Sequence, residues 1–489
     1  MTDIHAQARR GIKLLMIRQV FLQVFTFAGG IVMARVLDPA DFGLYAIATF
    51  WVSMLALLGD FGLAPSFIQR KAELTDRDLQ VGFTLQQILT TCVVALLMVG
   101  APWLAALYPK APAQTVWLVR TLAFSLYLTS WRSMSALQLE RHLRYDRVAQ
   151  IEVLETLSYQ CIAVGMAIAG YGVWSLVWAT LARGLLGTAL VFLAAPWPVR
   201  LKLDSELARS TLKFGIPFQV QMLANQVVTG WITPVLVGVV IGPQAVGLLT
   251  WASSNGQKPL MLVDNVMRVA FPHFSRIQED RNEVEIQMSR YLTYLLLPTG
   301  LWFAVLLVAG PPLVIWIYTD KWAPAIPALI LFAMGLNVEV IGRIVGITLN
   351  SLGLVDFTTR IVLLKGFAII AISIPLVLLI GFNGVPLGYL IATTFTNPWV
   401  FRGLGQGAMR RVLFPVAWVI LPMTASIGVG FLTRLAPLSL ILQALVTTFT
   451  VIIVYAGTAW ITGPGWLRAA LVEQLHKYLR PAPGQLAND

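Results

Sequence analysis

The sequence predicts an all-α polytopic membrane protein of about 14 transmembrane helices, arranged as two six-helix lobes in a parallel internal repeat plus two C-terminal helices. Three observations carry this reading: composition, the length of the apolar runs, and an echo of the first half in the second. Of 489 residues, 57% are hydrophobic and only 12% charged, and the mean hydropathy is +0.76. A soluble domain carries about 25% charged residues. The apolar runs mostly exceed the roughly 18 residues needed to cross a bilayer, whereas a transmembrane β-barrel would show short alternating segments.

The repeat centres on Val36-Leu37-Asp38-Pro39-Ala40-Asp41-Phe42-Gly43-Leu44, which returns as Val240-Ile241-Gly242-Pro243-Gln244-Ala245-Val246-Gly247-Leu248 at an offset of 204. The same offset pairs Gly11 with Gly215, Asp60 with Asp264 and Phe67 with Phe271. Further along the offset drifts, with Arg132 falling on Arg343 at 211 and Gly172 on Gly384 at 212, as loop insertions would produce. Self-similarity of this kind fixes architecture before any single element is assigned. The expected organisation is an N-terminal six-helix lobe over 1–205, a second over 206–411, an added helix pair over 412–463 and an amphipathic tail over 464–489.

Taken in order, the first lobe is predicted to hold spans at about 14–36, 42–64, 81–107, 114–138, 149–170 and 173–195. The second holds 214–241, 244–266, 291–317, 325–349, 359–381 and 384–403, and the added pair 413–433 and 437–462. No small-residue cleavage site ends the first span, so it reads as a retained helix rather than a signal peptide. Lys and Arg test the count: alternate loops collect 24 of them on one side and 4 on the other. That asymmetry places both termini in the cytoplasm. It also explains the net charge of +12 without nucleic acid, because the basic residues sit in short loops between spans. Six spans return the chain to its starting side, so the two copies run parallel, related by an axis along the membrane normal. Cys92 and Cys161 fall inside apolar runs and read as small core residues, not as a disulfide or metal site.

Seven cations remain inside spans: Arg18, Arg120, Arg132, Arg183, Lys258, Arg343 and Lys365. A central charge costs roughly 2.5–3.5 kcal/mol on insertion scales. Arg132 and Arg343 lie close enough to the basic-loop side to snorkel, and Arg343 follows Glu339 by four residues, a favourable helical pair. Arg183 and Lys258 are the deepest. The few acids, Asp60, Glu152, Glu155, Asp264 and Glu339, all fall in the cytoplasmic half, which leaves Arg183 and Arg120 without an acid at their own depth. A cation without a counter-charge suggests a cavity that receives an anion; the plain alternative is an arginine satisfied by backbone carbonyls. Polar amides mark the first helix of each copy, Gln19 and Gln23 beside Arg18, and Gln221, Asn225 and Gln226 in the second. They serve either a polar cavity or ordinary interhelical bonding. Asp60 and Asp264, equivalent in the repeat, are candidates for a gate or an ion-coupling site, or for plain helix-end capping.

Ala34-Arg35-Val36-Leu37-Asp38-Pro39-Ala40-Asp41-Phe42-Gly43-Leu44, with Asp60-Phe61-Gly62-Leu63-Ala64, Phe67-Ile68-Gln69-Arg70 and the later Phe271-Pro272-His273-Phe274, resembles the Wzx-type flippases. These form the polysaccharide-transporter branch of the multidrug/oligosaccharidyl-lipid/polysaccharide exporter superfamily. The resemblance covers roughly 10–410. It implies two lobes around a cationic central cavity in a bacterial inner membrane, and export of an undecaprenyl-diphosphate-linked repeat unit for exopolysaccharide or O-antigen. The partners implied are the lipid-linked oligosaccharide, membrane lipid, and the polysaccharide polymerase and export machinery; no cofactor is expected beyond an ion gradient or membrane potential. Arg18 and Lys258 match the family best in location. The residues expected to meet substrate are Arg18, Gln19, Gln23, Arg120, Arg183, Asn225, Gln226 and Lys258.

Two rivals stay open. A multidrug exporter of the same superfamily would want carboxylates deep in the membrane, and the span bounds place none there. A membrane-embedded glycan polymerase would need catalytic groups on a large outer loop. The loops Gly170-Tyr171-Gly172, Gly242-Pro243-Gln244 and Phe382-Asn383-Gly384 are too short to hold them, so no enzyme is expected.

Overall fold

A computed structural model describes residues 21–60, 75–142, 144–204, 219, 230–404, 406–469 and 472, and every regular element among them is helical. The chain divides into two compact units, Met1–Trp251 and Ala252–Asp489.

Unit 1 begins with α1 (Phe21–Val36), followed by α2 (Pro39–Asp60), α3 (Asp76–Ala106), α4 (Thr115–Arg141), α5 (Tyr145–Ile168) and α6 (Trp174–Ala194). Thr75 starts α3 with a capping box: its hydroxyl accepts from the Asp78 N–H at 3.3 Å, and the Asp78 carboxylate accepts from the Thr75 N–H at 2.9 Å. Neighbours in space run α3–α4, α4–α6 and α6–α5, with α2 against both α3 and α4. The seventh span is described from Gly230. It makes a π-helical turn at Ile232–Val237, continues through Gly238–Val240 and leads into α7 (Pro243–Gly256). Widened turns of this kind occur mostly as local departures within helices.

Gly43 and Gly247 show why the repeated motif keeps its glycines. A Cβ on Gly43 would lie 1.7 Å from the Pro243 carbonyl oxygen, and one on Gly247 would lie 1.8 Å from that of Pro39. The contact is reciprocal, each copy's glycine resting on the other copy's proline. It draws the start of α7 into unit 1, so the compact boundary falls at Trp251 within the eighth span.

Unit 2 holds the rest of α7, then α8 (Leu260–Arg276), α9 (Arg281–Val308), α10 (Gly310–Tyr318), α11 (Ile326–Ser351), α12 (Val355–Ile380) and α13 (Gly384–Phe401). The added pair is α14 (Gln406–Arg434) and α15 (Leu440–Thr462). Contacts run α9–α11, α11–α13 and α13–α12, the same order as α3–α4–α6–α5 in unit 1. The repeat is therefore one of packing as well as sequence. α9 is the hub: 61% of its apolar window is buried, against 22–33% for α12–α13, α14, α15 and the spanning helices of unit 1. It also takes α14 and α15 on its flank, where the Tyr455 hydroxyl donates to the Leu297 carbonyl at 2.9 Å.

Nine helical segments among the described residues are long and apolar enough to cross a membrane, with α12 and α13 counted as one, and the protein is a multi-pass membrane protein. Large side chains such as Phe367, Leu379 and Ile453 are exposed on helix faces, as expected where lipid replaces water as solvent. Every predicted span with described residues coincides with helix, with two departures. The eighth span is broken at Gln257–Pro259, and the ninth is α9 followed by the short α10. Cys92 and Cys161, expected in the core, are instead exposed. The tail begins as a helical turn over 465–469, pinned by Trp466 against the Tyr294 ring at 5.5 Å, with Arg290 over the indole at 5.6 Å.

Candidate functional site

Each unit buries a carboxylate among cations. In unit 1, Glu155 of α5 has a side chain only 3% exposed and accepts from Arg132 of α4 at 2.8 Å; Arg183 of α6 approaches its other oxygen at 3.6 Å. The side chain of Arg183 is 49% exposed and that of Arg132 is 29% exposed. Gly187, one turn beyond Arg183, makes room: a Cβ there would fall 2.0 Å from Glu155 Oε1. Tyr159 of α5 lies beside Arg183 and Tyr45, and the Tyr45 hydroxyl meets Thr180 of α6 at 2.7 Å. Thr180, Arg183 and Gly187 are spaced three and four apart, so they share one helix face.

This overturns the expectation that Arg183 lacks an acid at its depth, and that Arg132 reaches the surface by snorkelling. α4 runs to Arg141 and α5 starts at Tyr145, three and four residues beyond the predicted bounds. Arg132 then lies about 14 Å in from its helix end and Glu155 about 15 Å in from the same side, while Arg183 is about 14 Å in from the opposite side. Across a core of about 30 Å these three positions are level.

In unit 2, Glu339 of α11 accepts both 2.8 and 2.9 Å bonds from Lys365 of α12 and one at 3.3 Å from Arg343. Arg343 also pairs with Asp264 of α8. The expected Glu339–Arg343 pair is present, and Arg343, its side chain 37% exposed, is held between buried Glu339 and half-exposed Asp264. Tyr389 of α13 stands beside Glu339 and Arg343. Four helices meet at this cluster.

The remaining predicted residues are more scattered. Arg120 donates to the Met98 carbonyl at 3.0 Å and lies 5.2 Å from the Trp117 ring centre, the backbone-satisfied alternative. Lys258 sits in the turn between α7 and α8, next to the start of α8. The α7 end is held by the Trp302 indole, which donates to the Gly256 carbonyl at 3.1 Å. A broken span of this kind offers a helix N-terminus within the membrane, where anions are favoured. Gln23 is exposed on α1, and Asp60 closes α2. Arg18, Gln19, Asn225 and Gln226 lie outside the described residues. The structure thus groups Arg183 with Arg132 and Glu155, and Asp264 with Arg343, Glu339 and Lys365. Both glutamates were visible as rare acids within spans, and Glu339 as the partner of Arg343, but not Glu155 as the partner of Arg132 and Arg183, nor Glu339 as that of Lys365.

A family described as "Polysaccharide biosynthesis protein" matches residues 32–327. The chain is 25% identical over 373 residues to the lipopolysaccharide biosynthesis protein WzxC of Escherichia coli (strain K12), covering 74% of this chain and 73% of that protein. It is 26% identical over 314 residues to the succinoglycan biosynthesis transport protein ExoT of Rhizobium meliloti (strain 1021), covering 62% and 61%. Among solved structures, the lipid II flippase MurJ in an inward closed conformation matches with a TM-score of 0.76 at 16% identity, over 92% of this chain and 98% of that one. An inward-facing multidrug transporter of the MATE family in the MOP superfamily matches with a TM-score of 0.58 at 15% identity, over 81% and 96%. The two structures share the fold, and the sequence match takes in more than half of the 489 residues: the chain belongs to the polysaccharide biosynthesis protein family.

Proposed function

We propose that this protein is a flippase that carries a polyprenyl-diphosphate-linked oligosaccharide unit from the cytoplasmic to the periplasmic leaflet of a bacterial inner membrane, with both termini in the cytoplasm. The repeats 1–205 and 206–411 are its working lobes, and it transports without chemical conversion. The observation that carries this reading is Arg183, a half-exposed guanidinium at mid-membrane depth that shares its one buried carboxylate with a second arginine. Among the described residues, two cations against one acid leave a surplus positive charge where a diphosphate must cross, and planar guanidinium suits phosphate oxygens. Lys258, at the break before α8, supplies a second cation beside a helix N-terminus. Family membership supports the same substrate class, since WzxC and ExoT are named for lipopolysaccharide and succinoglycan biosynthesis.

A multidrug exporter is less well supported. Its cationic drugs need free carboxylate deep in the membrane. Glu155 and Glu339 do lie deep, contrary to the span estimate, but each is held by two cations. In a strain lacking the native gene, Arg183→Gln together with Lys258→Gln is expected to abolish surface polysaccharide and to accumulate lipid-linked units on the inner leaflet. Normal export by that double variant overturns the reading.

A further inference from the structure

We infer that the extended segment after α6 and the adjoining face of α3 form a binding site for one anionic phospholipid, in the leaflet at the N-terminal end of α3. The inference goes beyond the flippase reading and does not depend on it.

Pro196-Trp197-Pro198 keeps the chain after α6 extended, because proline withholds an N–H and biases the residue before it away from helix. The segment is then fixed to α3 at four points. Trp197 is buried among Leu79, Phe83, Met134 and Leu137. The Gln80 side chain donates to the Pro198 carbonyl at 3.1 Å, the Lys202 N–H donates to the Thr84 hydroxyl at 2.8 Å, and Arg77 pairs with Asp204. Although tied down in this way, the segment leaves Leu201 and Leu203 each 74% exposed, and Arg200 and Lys202 exposed as well. Leucines alternating with cations suit neither water nor hydrocarbon, but the boundary between them. Depth agrees. The 31 residues of α3 span about 46 Å, against a hydrocarbon core of about 30 Å. With the excess shared between its ends, Thr84, about 12 Å along the helix, lies roughly 4 Å inside the core boundary.

Beside the segment opens a cleft of about 490 Å³, with Ile88, Thr91 and Cys92 of α3 facing Leu201, Lys202 and Leu203. That is the size of an ordinary small-ligand site. Its deeper polar groups are already engaged: the Gln87 amide donates to Ser130 at 2.9 Å, and the Thr91 hydroxyl donates to the Gln87 carbonyl at 2.7 Å. The inner wall therefore suits an apolar occupant. It runs on into the exposed apolar side of α3, where Ile88, Cys92, Leu96, Val99 and Trp103 follow at spacings of four, four, three and four on one helix face. At the mouth the demand reverses. Arg77 neutralises Asp204, whereas neither Arg200 nor Lys202 has a carboxylate partner among the described residues. Lys202 lines the cleft and also carries the charge, so the places for chain and headgroup form one continuous surface. An acyl chain lying against Ile88 and Cys92 sets its phosphate beside Lys202. Each Lys or Arg at headgroup level favours an anionic lipid by about fivefold, which selects this occupant over a neutral one.

Native mass spectrometry of the full-length protein in detergent tests the site, with phosphatidylglycerol as the anionic probe, phosphatidylcholine as the neutral one and glycerol 3-phosphate as the free-phosphate arm. The wild type is expected to retain one phosphatidylglycerol about tenfold more tightly than phosphatidylcholine. Arg200→Gln with Lys202→Gln should remove that preference. Cys92→Trp, which fills the cleft from an exposed position, should remove the tightly held lipid while leaving both cations in place. Glycerol 3-phosphate should displace nothing. A second measurement leaves the cleft unaltered: in Cys161→Ser protein, phosphatidylglycerol should slow alkylation of Cys92 by N-ethylmaleimide, and phosphatidylcholine should not. A preference for phosphatidylglycerol that survives either the double charge variant or Cys92→Trp, in protein that elutes as the wild type on size exclusion, overturns the site. Displacement by glycerol 3-phosphate overturns the lipid assignment, and alkylation indifferent to phosphatidylglycerol overturns the pose. None of these results bears on polysaccharide export by Arg183→Gln with Lys258→Gln, so failure here is distinct from failure of the flippase reading.

Discussion

The cluster around Glu339 permits a quantitative test of how this fold holds its charges. Glu339→Gln keeps the shape of the side chain and removes its charge. Two bonds from Lys365, at 2.8 and 2.9 Å, and one from Arg343 at 3.3 Å then lose their anionic acceptor. Breaking a buried ion pair by removing one partner costs about 3–5 kcal/mol, most of it the penalty of the orphaned charge. The lower end applies here, because Arg343 keeps Asp264 and its side chain is 37% exposed, while that of Lys365 is 24% exposed. A loss of about 3 kcal/mol in a unit of this size lowers the melting temperature by about 6 °C or more. Intrinsic tryptophan fluorescence of the purified protein in detergent follows the transition. Adding Lys365→Met removes the orphan, so the double variant should recover about 2 kcal/mol of the loss, a strongly non-additive cycle. If Glu339→Gln melts within about 0.5 kcal/mol of the wild type, or if the two substitutions simply add, the cluster does not act as one ionic unit.

Other outcomes follow from single contacts. Gly43→Ala and Gly247→Ala each drive a methyl group to within 1.8 Å of a carbonyl oxygen; both should cost more than about 3 kcal/mol, measured as loss of monodisperse protein on size exclusion, and they should do so equally. Gly187→Ala pushes Glu155 off its arginines, since the new methyl would sit 2.0 Å from Oε1; it is expected to lower stability by about 2 kcal/mol and to impair polysaccharide export in a complementation assay. Trp466→Ala loses the Tyr294 ring contact and the Arg290 cation–π contact, and should lower stability by about 1–2 kcal/mol in a thermal melt.

Much of the architecture could be read from hydropathy, because a bilayer enforces helix length, penalises charge within spans and gathers Lys and Arg in the loops of one side, so that spans and alternation stand out. The repeat was legible for a steric reason: Gly43 and Gly247 tolerate no side chain, so the motif around them is preserved in both copies. Of the charge pairings, Glu339 with Arg343 was legible from its four-residue spacing, but those between helices were not. A three-residue extension of α4 and a four-residue extension of α5 move Arg132 and Glu155 about 5–6 Å deeper, which is comparable to the reach of an arginine side chain. Depth counted from loop charges therefore separated residues that touch. The break at Gln257–Pro259 was hidden by similar reasoning, since apolar residues continue on both sides of it and a hydropathy window runs straight through. Gly256 and Pro259 were the available signal, as a glycine near a helix end followed by a proline marks a stop.

The two clusters also show what the duplication has kept and what it has changed. In unit 1 the helices α4 and α5 carry Arg132 and Glu155; in unit 2 their counterparts α11 and α12 carry Glu339 and Lys365. The arginine keeps its helix, Arg343 on α11 answering Arg132 on α4, while α11 adds Glu339 and α12 carries Lys365 where α5 carries Glu155; an ion pair between the two helices remains. Each unit needs a polar tie at this level, because without hydrophobic attraction between helices in lipid, packing and polar bonds must hold them together. Either sign order satisfies that need. The totals differ, however. Among the described residues, unit 1 sets Arg132 and Arg183 against Glu155, whereas in unit 2 Arg343 and Lys365 face both Glu339 and Asp264. The second cluster is neutral and satisfied within itself, and so it ties helices together. The first retains one positive charge on its most exposed member, and that residual charge is what an anionic ligand can use. Under the proposed flippase reading, the asymmetry within a symmetric fold favours unit 1 for an anionic ligand and leaves this region of unit 2 to brace helices.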